Sequence, residues 1–402
     1  MRILMINVVC GIRSTGRICT DLAAALEAHG HEVKIAYGRE EVPEKFQKYA
    51  VRIGTDLDVR LHGLKARLLD GCGFGSKKAT ERFVEWIKEY DPDVIHLHNI
   101  HGYYINIEIL FDYLRTCEKK IIWTLHDCWA FTGHAAYCEA AGCEKWINGC
   151  FNCPKKGDYP KSYIDNSKNN WIKKMQLFTG IEALQIVTPS MWLSDMVKES
   201  ILSEYPVTVI HNGIDTSVFK PTKSEIRNKL GLKGKKIVLG VAALWEPRKG
   251  LNDFYRLSKM LSDKFCIILV GLSKNQIARL PKKIIGIERT DSAEELAELY
   301  SEADVYVNPT YEDNYPTTNL EAIACKTPVV TYDTGGSAES AALFGGVVKK
   351  GDIDGLYKSV MLMVDSNPVN VNISGLDVSH TIDDYMQFYA ISELNEKCKR
   401  TV

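Results

Sequence analysis

Tyr311 to Gly336 reads YEDNYPTTNLEAIACKTPVVTYDTGG, and the rest of the chain is organised around this stretch. An acidic, polar loop (Glu312, Asp313, Asn314, Tyr315) runs into Pro316, Thr317 and Thr318, which open a short helix. Leu320, Ile323 and Ala324 give the helix an apolar face, and Glu321 stands one turn in. Thr327-Pro328-Val329-Val330 then reads as a buried strand and Gly335-Gly336 as a turn. Strand end, loop, helix, strand is the grammar of an α/β domain with a parallel sheet.

The chemistry of the stretch points further. A helix start presents free N–H groups and a positive dipole end, a ready site for an anion. Pro at the first helical position loses nothing there. An acid placed before such a start repels a phosphate, so its use is as an acceptor for hydroxyls. Carboxylate, amide cradle, carboxylate in sequence suits a sugar, a phosphate linkage and a second sugar, which describes a nucleotide sugar. The plainer alternative is a solvated loop at 312–313 and a surface charge at Glu321.

The stretch resembles the signature of family 4 glycosyltransferases, a retaining group with the GT-B fold. That motif has two acids eight positions apart, a small-residue segment, a TPVV-like strand and a GG turn. Here Glu321, Ala322, Cys325, Thr327 to Val330 and Gly335-Gly336 fall into place. Counting back eight from Glu321 reaches Asp313, so either Asp313 substitutes or Glu312 does the work through a longer loop. The EDN-x-P loop is similar to the subgroup acting in bacterial surface-polysaccharide assembly, of the colanic-acid type. The resemblance implies that Asp313 or Glu312 grips sugar hydroxyls and Glu321 the ribose, with Asn314, Tyr315, Thr317 and Thr318 lining the donor site.

Upstream, Lys236 to Ala243 reads as a strand, and LWEPRKG at 244–250 leads into a helix near Leu251. Arg248 and Lys249 add their charge to a helix start that already favours anions. Arg offers a fork and Lys a point charge to a diphosphate. Family members carry an Arg five positions before that Lys. Leu244 stands there in this chain, with Arg248 nearby to take over. The plain alternative is an exposed basic loop.

The first half opens with a strand at 2–8, a glycine loop from Gly11 to Arg17, a helix from Ile18 to His29 and a strand at 31–37. The G-x4-G spacing is not a dinucleotide fingerprint. Gly16 is the expected point of close backbone approach to the donor, or else part of a tight turn. Helices are expected at 56–69 and 77–90, and strands at 93–98 and 120–125. His96 and His98 share one strand face, with one of them lining a crevice at the strand's carboxyl end. His126-Asp127 ends the next strand and faces the same crevice. The resemblance gives His126 a role at the donor sugar near its anomeric carbon.

Five of the twelve cysteines lie between Cys128 and Cys153. Cys138, Cys143, Cys150 and Cys153 have the spacing C-x4-C-x6-C-x2-C. In a reducing compartment such a set suggests a closed, structural zinc site stapling a segment poor in apolar residues. The competing reading is free or redox-active cysteines.

With 402 residues, 45% of them hydrophobic, the chain can fill two domain cores. A net charge of -1 gives no bulk attraction to nucleic acid. MRILMINVV leads into a glycine loop rather than a cleavage site. No apolar run approaches the roughly 18–20 residues that span a bilayer. The expectation is a cytoplasmic protein, with room for peripheral attachment to the inner face of a membrane.

The expected fold is α/β, two doubly wound Rossmann-like domains of GT-B type facing across a cleft. The expected bounds are an acceptor-side domain at 1–210 with a Cys-rich insertion at 128–157, and a linker at 211–222. A nucleotide-sugar domain at 223–378 and a helix at 379–402 crossing back to the first domain complete the chain. The implied reaction is retaining hexosyl transfer to a glycan or lipid-linked sugar, with no cofactor at the reaction centre. Alternatives are a nucleotide-sugar epimerase or hydrolase of the same fold, or a non-catalytic sugar-nucleotide binder.

Overall fold

Arg2–Asn7 (β1) is buried along its whole length after the first residue. A strand without polar alternation is one covered on both faces. The computed structural model describes residues 1–365 and 373–399. It divides into two compact units, one of Met1–Ile210 with the chain from Asp384 onward, the other of His211–Asp383. Residues 366–372 of the expected second domain and 400–402 of the expected final helix lie outside the described residues.

In the first unit β1 is joined by Glu32–Tyr37 (β2), Ala50–Arg52 (β3), Val94–Leu97 (β4), Lys120–Thr124 (β5), Leu184–Thr188 (β6) and Val207–Val209 (β7). All pair parallel, in the order β3-β2-β1-β4-β5-β6-β7. Side chains alternate faces along each strand. Leu4 and Ile6 therefore join one core with Ile95, Leu97 and Trp123, while Ile3 and Met5 join another with Val94, Ile122 and Val187. Tyr385 and Tyr389, from the helix Val378–Lys399, are buried in the second of these cores.

The second unit repeats the plan. Lys236–Val241 (β8), Phe265–Val270 (β9), Ile284–Ile287 (β10), Val305–Asn308 (β11), Val329–Tyr332 (β12) and Gly345–Val348 (β13) form a parallel sheet in the order β10-β9-β8-β11-β12-β13. Ile237, Leu239 and Tyr306 fill one core and Val238, Val305 and Val307 the other. Both units are thus doubly wound α/β sheets, as expected. The strand order reverses between β1 and β4, and again between β8 and β11. Loops leaving the carboxyl ends of those strands splay apart and leave a crevice. Every expected site residue in the second unit sits on such a loop or the helix after it.

The first helix departs from expectation. It spans Arg13–Ala28, starting before Ile18. Gly11, at φ +73°, and Arg13, at φ +57°, make the turn, and the Gly11 amide donates to the Gly16 carbonyl at 3.1 Å. Gly16 is therefore inside the helix and buried. A Cβ there would lie 3.1 Å from Val9 Cγ2 and 3.2 Å from the Gly11 amide, so the backbone it approaches closely is the chain's own.

The cysteine-rich segment is anchored by groups besides its cysteines. Among the described residues no three of His, Cys, Asp and Glu stand where they could hold one metal ion. Cys138 is turned into the core, while Cys143, Cys150 and Cys153 are only partly covered. Nor is the segment poor in apolar anchors, because Trp129, Phe131 and Trp146 are buried in the first unit's core. His134, fully buried, meets Asp70 at 2.5 Å. Lys174 Nζ donates to the carbonyls of Trp129 at 2.6 Å and Thr132 at 3.0 Å. Burial pushes the Lys174 ammonium down to about 7.

Candidate active site

In the second unit the β11 loop leads into the helix Thr317–Ala324. Pro316 stands just before its first turn, and no side chain caps it. Its first-turn amides keep the positive end of the dipole open to an anion. The helix is pinned from behind by a buried polar network. Asn319 bonds Asn308 at 2.9 Å and Ser340 at 2.8 Å, and Thr331 joins Ser337 to the Asn308 carbonyl. Fully satisfied networks of this kind fix one arrangement, because any loosening leaves buried polar groups unpaired.

The basic turn Pro247–Lys249 lies directly against this loop. Gly250, at φ +74°, lets it approach, since a Cβ there would stand 2.1 Å from the Pro309 carbonyl oxygen. The Arg248 carbonyl accepts the Tyr311 amide at 2.7 Å, and Arg248 Nη1 donates to the Glu312 carbonyl at 3.2 Å. Lys249 Nζ meets Asp313 Oδ2 at 2.5 Å. Both side chains keep some solvent contact, 20% and 16%.

The two candidate acids separate here. Glu312 is 1% exposed, whereas Asp313 is the carboxylate paired with Lys249, and Arg248 Nε meets Glu246 Oε2 at 3.0 Å. Asn314 and Tyr315 are likewise turned in, and the Tyr315 ring stacks on His211 at 4.6 Å. Thr317, Thr318 and Glu321 remain half-buried on the open side. Tyr300 donates its hydroxyl to Glu321 Oε2 at 2.9 Å. Burial pushes the Tyr300 phenol well above its ordinary range, so it stays a donor. The Tyr306 hydroxyl donates to the Val241 carbonyl at 3.4 Å, and burial pushes its phenol well above the ordinary range. Neither tyrosine carries a sequence signal beyond its apolar context.

In the first unit a cavity beyond the ends of β4 and β5 is lined by His98, His101, Trp123, His126, Asp127 and Trp129. His98 Nδ1 and His126 Nε2 are 3.0 Å apart with rings stacked. Burial pulls the His126 imidazole down to about 4 and His98 well below its usual range, so both are neutral at pH 7. His98 Nε2 has no hydrogen-bond partner. Alongside, His101 Nε2 meets Asp127 Oδ2 at 2.9 Å, and Asp127 Oδ1 accepts the Trp129 amide at 2.9 Å. Burial alone would raise the Asp127 carboxyl, but His101 and that amide outweigh it and hold it below the usual range. His96 turns away to Tyr389 at 2.6 Å and Thr124 at 2.8 Å.

Sequence comparison extends these two geometries to a family. The family description Glycosyltransferase Family 4 matches residues 15–218, and Glycosyl transferases group 1 matches residues 235–366. The chain belongs to glycosyltransferase family 4. The enzyme is 25% identical, over 363 residues and 86% of both chains, to WcaC of Escherichia coli K12, named for colanic acid biosynthesis. Its fold matches sucrose-phosphate synthase of Thermosynechococcus elongatus with a TM-score of 0.71 at 15% identity, covering 98% of this chain and 99% of that one. It also matches Anabaena HepE, solved with UDP and glucose, with a TM-score of 0.67 at 14% identity over 97% and 99% of the chains. This glycosyltransferase therefore has the GT-B fold. No helix among its described residues is long and apolar enough to cross a membrane.

Proposed function

We propose that this glycosyltransferase moves a hexosyl group, with retention, from a nucleotide-diphosphate sugar to a glycan or lipid-linked acceptor in surface-polysaccharide assembly. The observation that carries the reading is the contact between Lys249 and Asp313 beside an uncapped helix start, with Glu321 one turn further on. A cation, an amide cradle and two carboxylates then meet a diphosphate and the hydroxyls on either side of it. Lys249, Arg248 and the first-turn amides stabilise charge that grows on the leaving diphosphate. In this reading the chain's own cations carry that charge without a metal ion. Asp313 accepts from sugar hydroxyls, and Glu321, oriented by Tyr300, from the ribose. The relatives named for polysaccharide and UDP-sugar chemistry support the substrate class.

A thermal-shift screen against UDP-, GDP- and ADP-hexoses tests the donor half. One nucleotide class should raise Tm in wild type and fail to do so in Lys249→Ala and Glu321→Ala. Stabilisation that survives both substitutions would refute the site.

A further inference from the structure

The helix Asp56–Leu69, DLDVRLHGLKARLL, turns its leucines outward. His62 and Ala66 face the protein, 2% and 1% exposed. Leu57, Leu61, Leu64 and Leu68 are 64%, 57%, 54% and 47% exposed. Their spacing of four, three and four residues aligns them in one stripe about 17 Å long. Single exposed leucines are ordinary, but a continuous row marks a surface that meets something apolar. Tyr163 and Ile164, 63% and 45% exposed, extend the row. The Tyr163 amide donates to the Arg67 carbonyl at 2.9 Å, and the Arg67 guanidinium stands 5.9 Å from the Tyr163 ring.

The flanks of the row are cationic. Arg60 and Arg67 are exposed on one side, while Lys65 on the other turns its Nζ back to the Phe74 carbonyl at 2.6 Å. The helix's acids are engaged locally, Asp56 with Arg52 and Asp58 in a capping box with Thr55. The occupant must therefore offer apolar depth and negative charge together. A second copy of the chain fits poorly, because a twofold contact would set the Arg60–Arg67 flank against an identical flank.

We infer that this helix lies in the plane of an anionic lipid bilayer, its leucines in the acyl boundary and Arg60 and Arg67 among the headgroups. The helix does not span. It holds the first unit against a surface, which is where a lipid-linked acceptor would be found.

Flotation of the full chain with vesicles tests this without donor or acceptor, so its outcome is separate from that of the transfer reaction. The chain should float with phosphatidylcholine vesicles containing about a third phosphatidylglycerol, and weakly with phosphatidylcholine alone. Leu61→Ser with Leu64→Ser, and separately Arg60→Glu with Arg67→Glu, should each weaken vesicle binding by about tenfold or more. Tm should be unchanged in both, since all four side chains are exposed. Absence of flotation on anionic vesicles would overturn the inference. So would binding indifferent to either pair of substitutions, or a dimer in light scattering that the leucine pair dissolves while vesicles are ignored.

Discussion

Lys249 and Asp313 hold each other at 2.5 Å, so an arriving diphosphate competes with the carboxylate for the ammonium. Transfer of Lys249 to phosphate would release Asp313 to accept sugar hydroxyls, coupling the two roles. Lys249→Ala is expected to lower kcat/KM by about 100-fold, through loss of leaving-group stabilisation, and Asp313→Asn by a comparable factor. Steady-state kinetics on the donor identified by the screen would check both. The buried histidines add a pH signature. His62, His96, His98 and His126 all have folded pKa values pulled below 6.5 by burial. The unfolded chain then binds more protons below pH 6.5, so stability is full above that value and falls with pH toward about 4. Scanning calorimetry should show Tm dropping over that window, and a flat profile would contradict their burial. The places of Lys249 and Glu321 were legible in the sequence, because one stands in the turn before a helix and the other one turn into a helix that follows a strand. Which of Glu312 and Asp313 faces out was not, because adjacent loop residues carry no periodicity. The pairing of His98 with His126 was also invisible, since it depends on β4 and β5 being neighbours in the sheet.

Among the elements, the turn before the helix Leu251–Met260 depends on one backbone conformation. Gly250→Ala adds a left-handed residue penalty of about 1–2 kcal/mol, and its Cβ would meet the Pro309 carbonyl. The variant should lose donor binding along with stability, read by calorimetry and denaturant titration. The cysteine segment gives the opposite pattern. Asp70→Ala leaves His134 buried without its partner and should cost about 3 kcal/mol or more. Cys143→Ser and Cys153→Ser, at partly covered positions, should each cost under about 1 kcal/mol. Cysteine variants as damaging as Asp70→Ala would show that the thiols staple the segment. The spacing of the cysteines was legible, but what anchors them was not. The anchors, Asp70, Lys174 and the Trp129 ring, come from places far apart in sequence. The helices Ile107–Leu114 and Ser167–Phe178 escaped notice for a related reason. The first is short and nearly apolar throughout, and the second is a polar helix placed by the segment it packs on.

Across the whole molecule, two sheets share one strand order; the second places its candidate residues where that order reverses, and the first places His98 and His126 just past β4 and β5. Most strands were legible as unbroken apolar runs, since burial on both faces removes polar alternation. The edge strands β3 and β13 were not, being short and only partly buried. Strand order is a long-range property that no local pattern carries, and the doubly wound arrangement was reached through resemblance to a family. The account turns on the second unit holding a sugar nucleotide at the Lys249 turn. Isothermal titration of the full chain with a panel of UDP-, GDP- and ADP-hexoses measures this most directly. Saturable one-to-one binding of one nucleotide class, lost in Lys249→Ala and kept in Cys153→Ser, is the predicted result. Binding of no sugar nucleotide, or binding unchanged by Lys249→Ala, would contradict it.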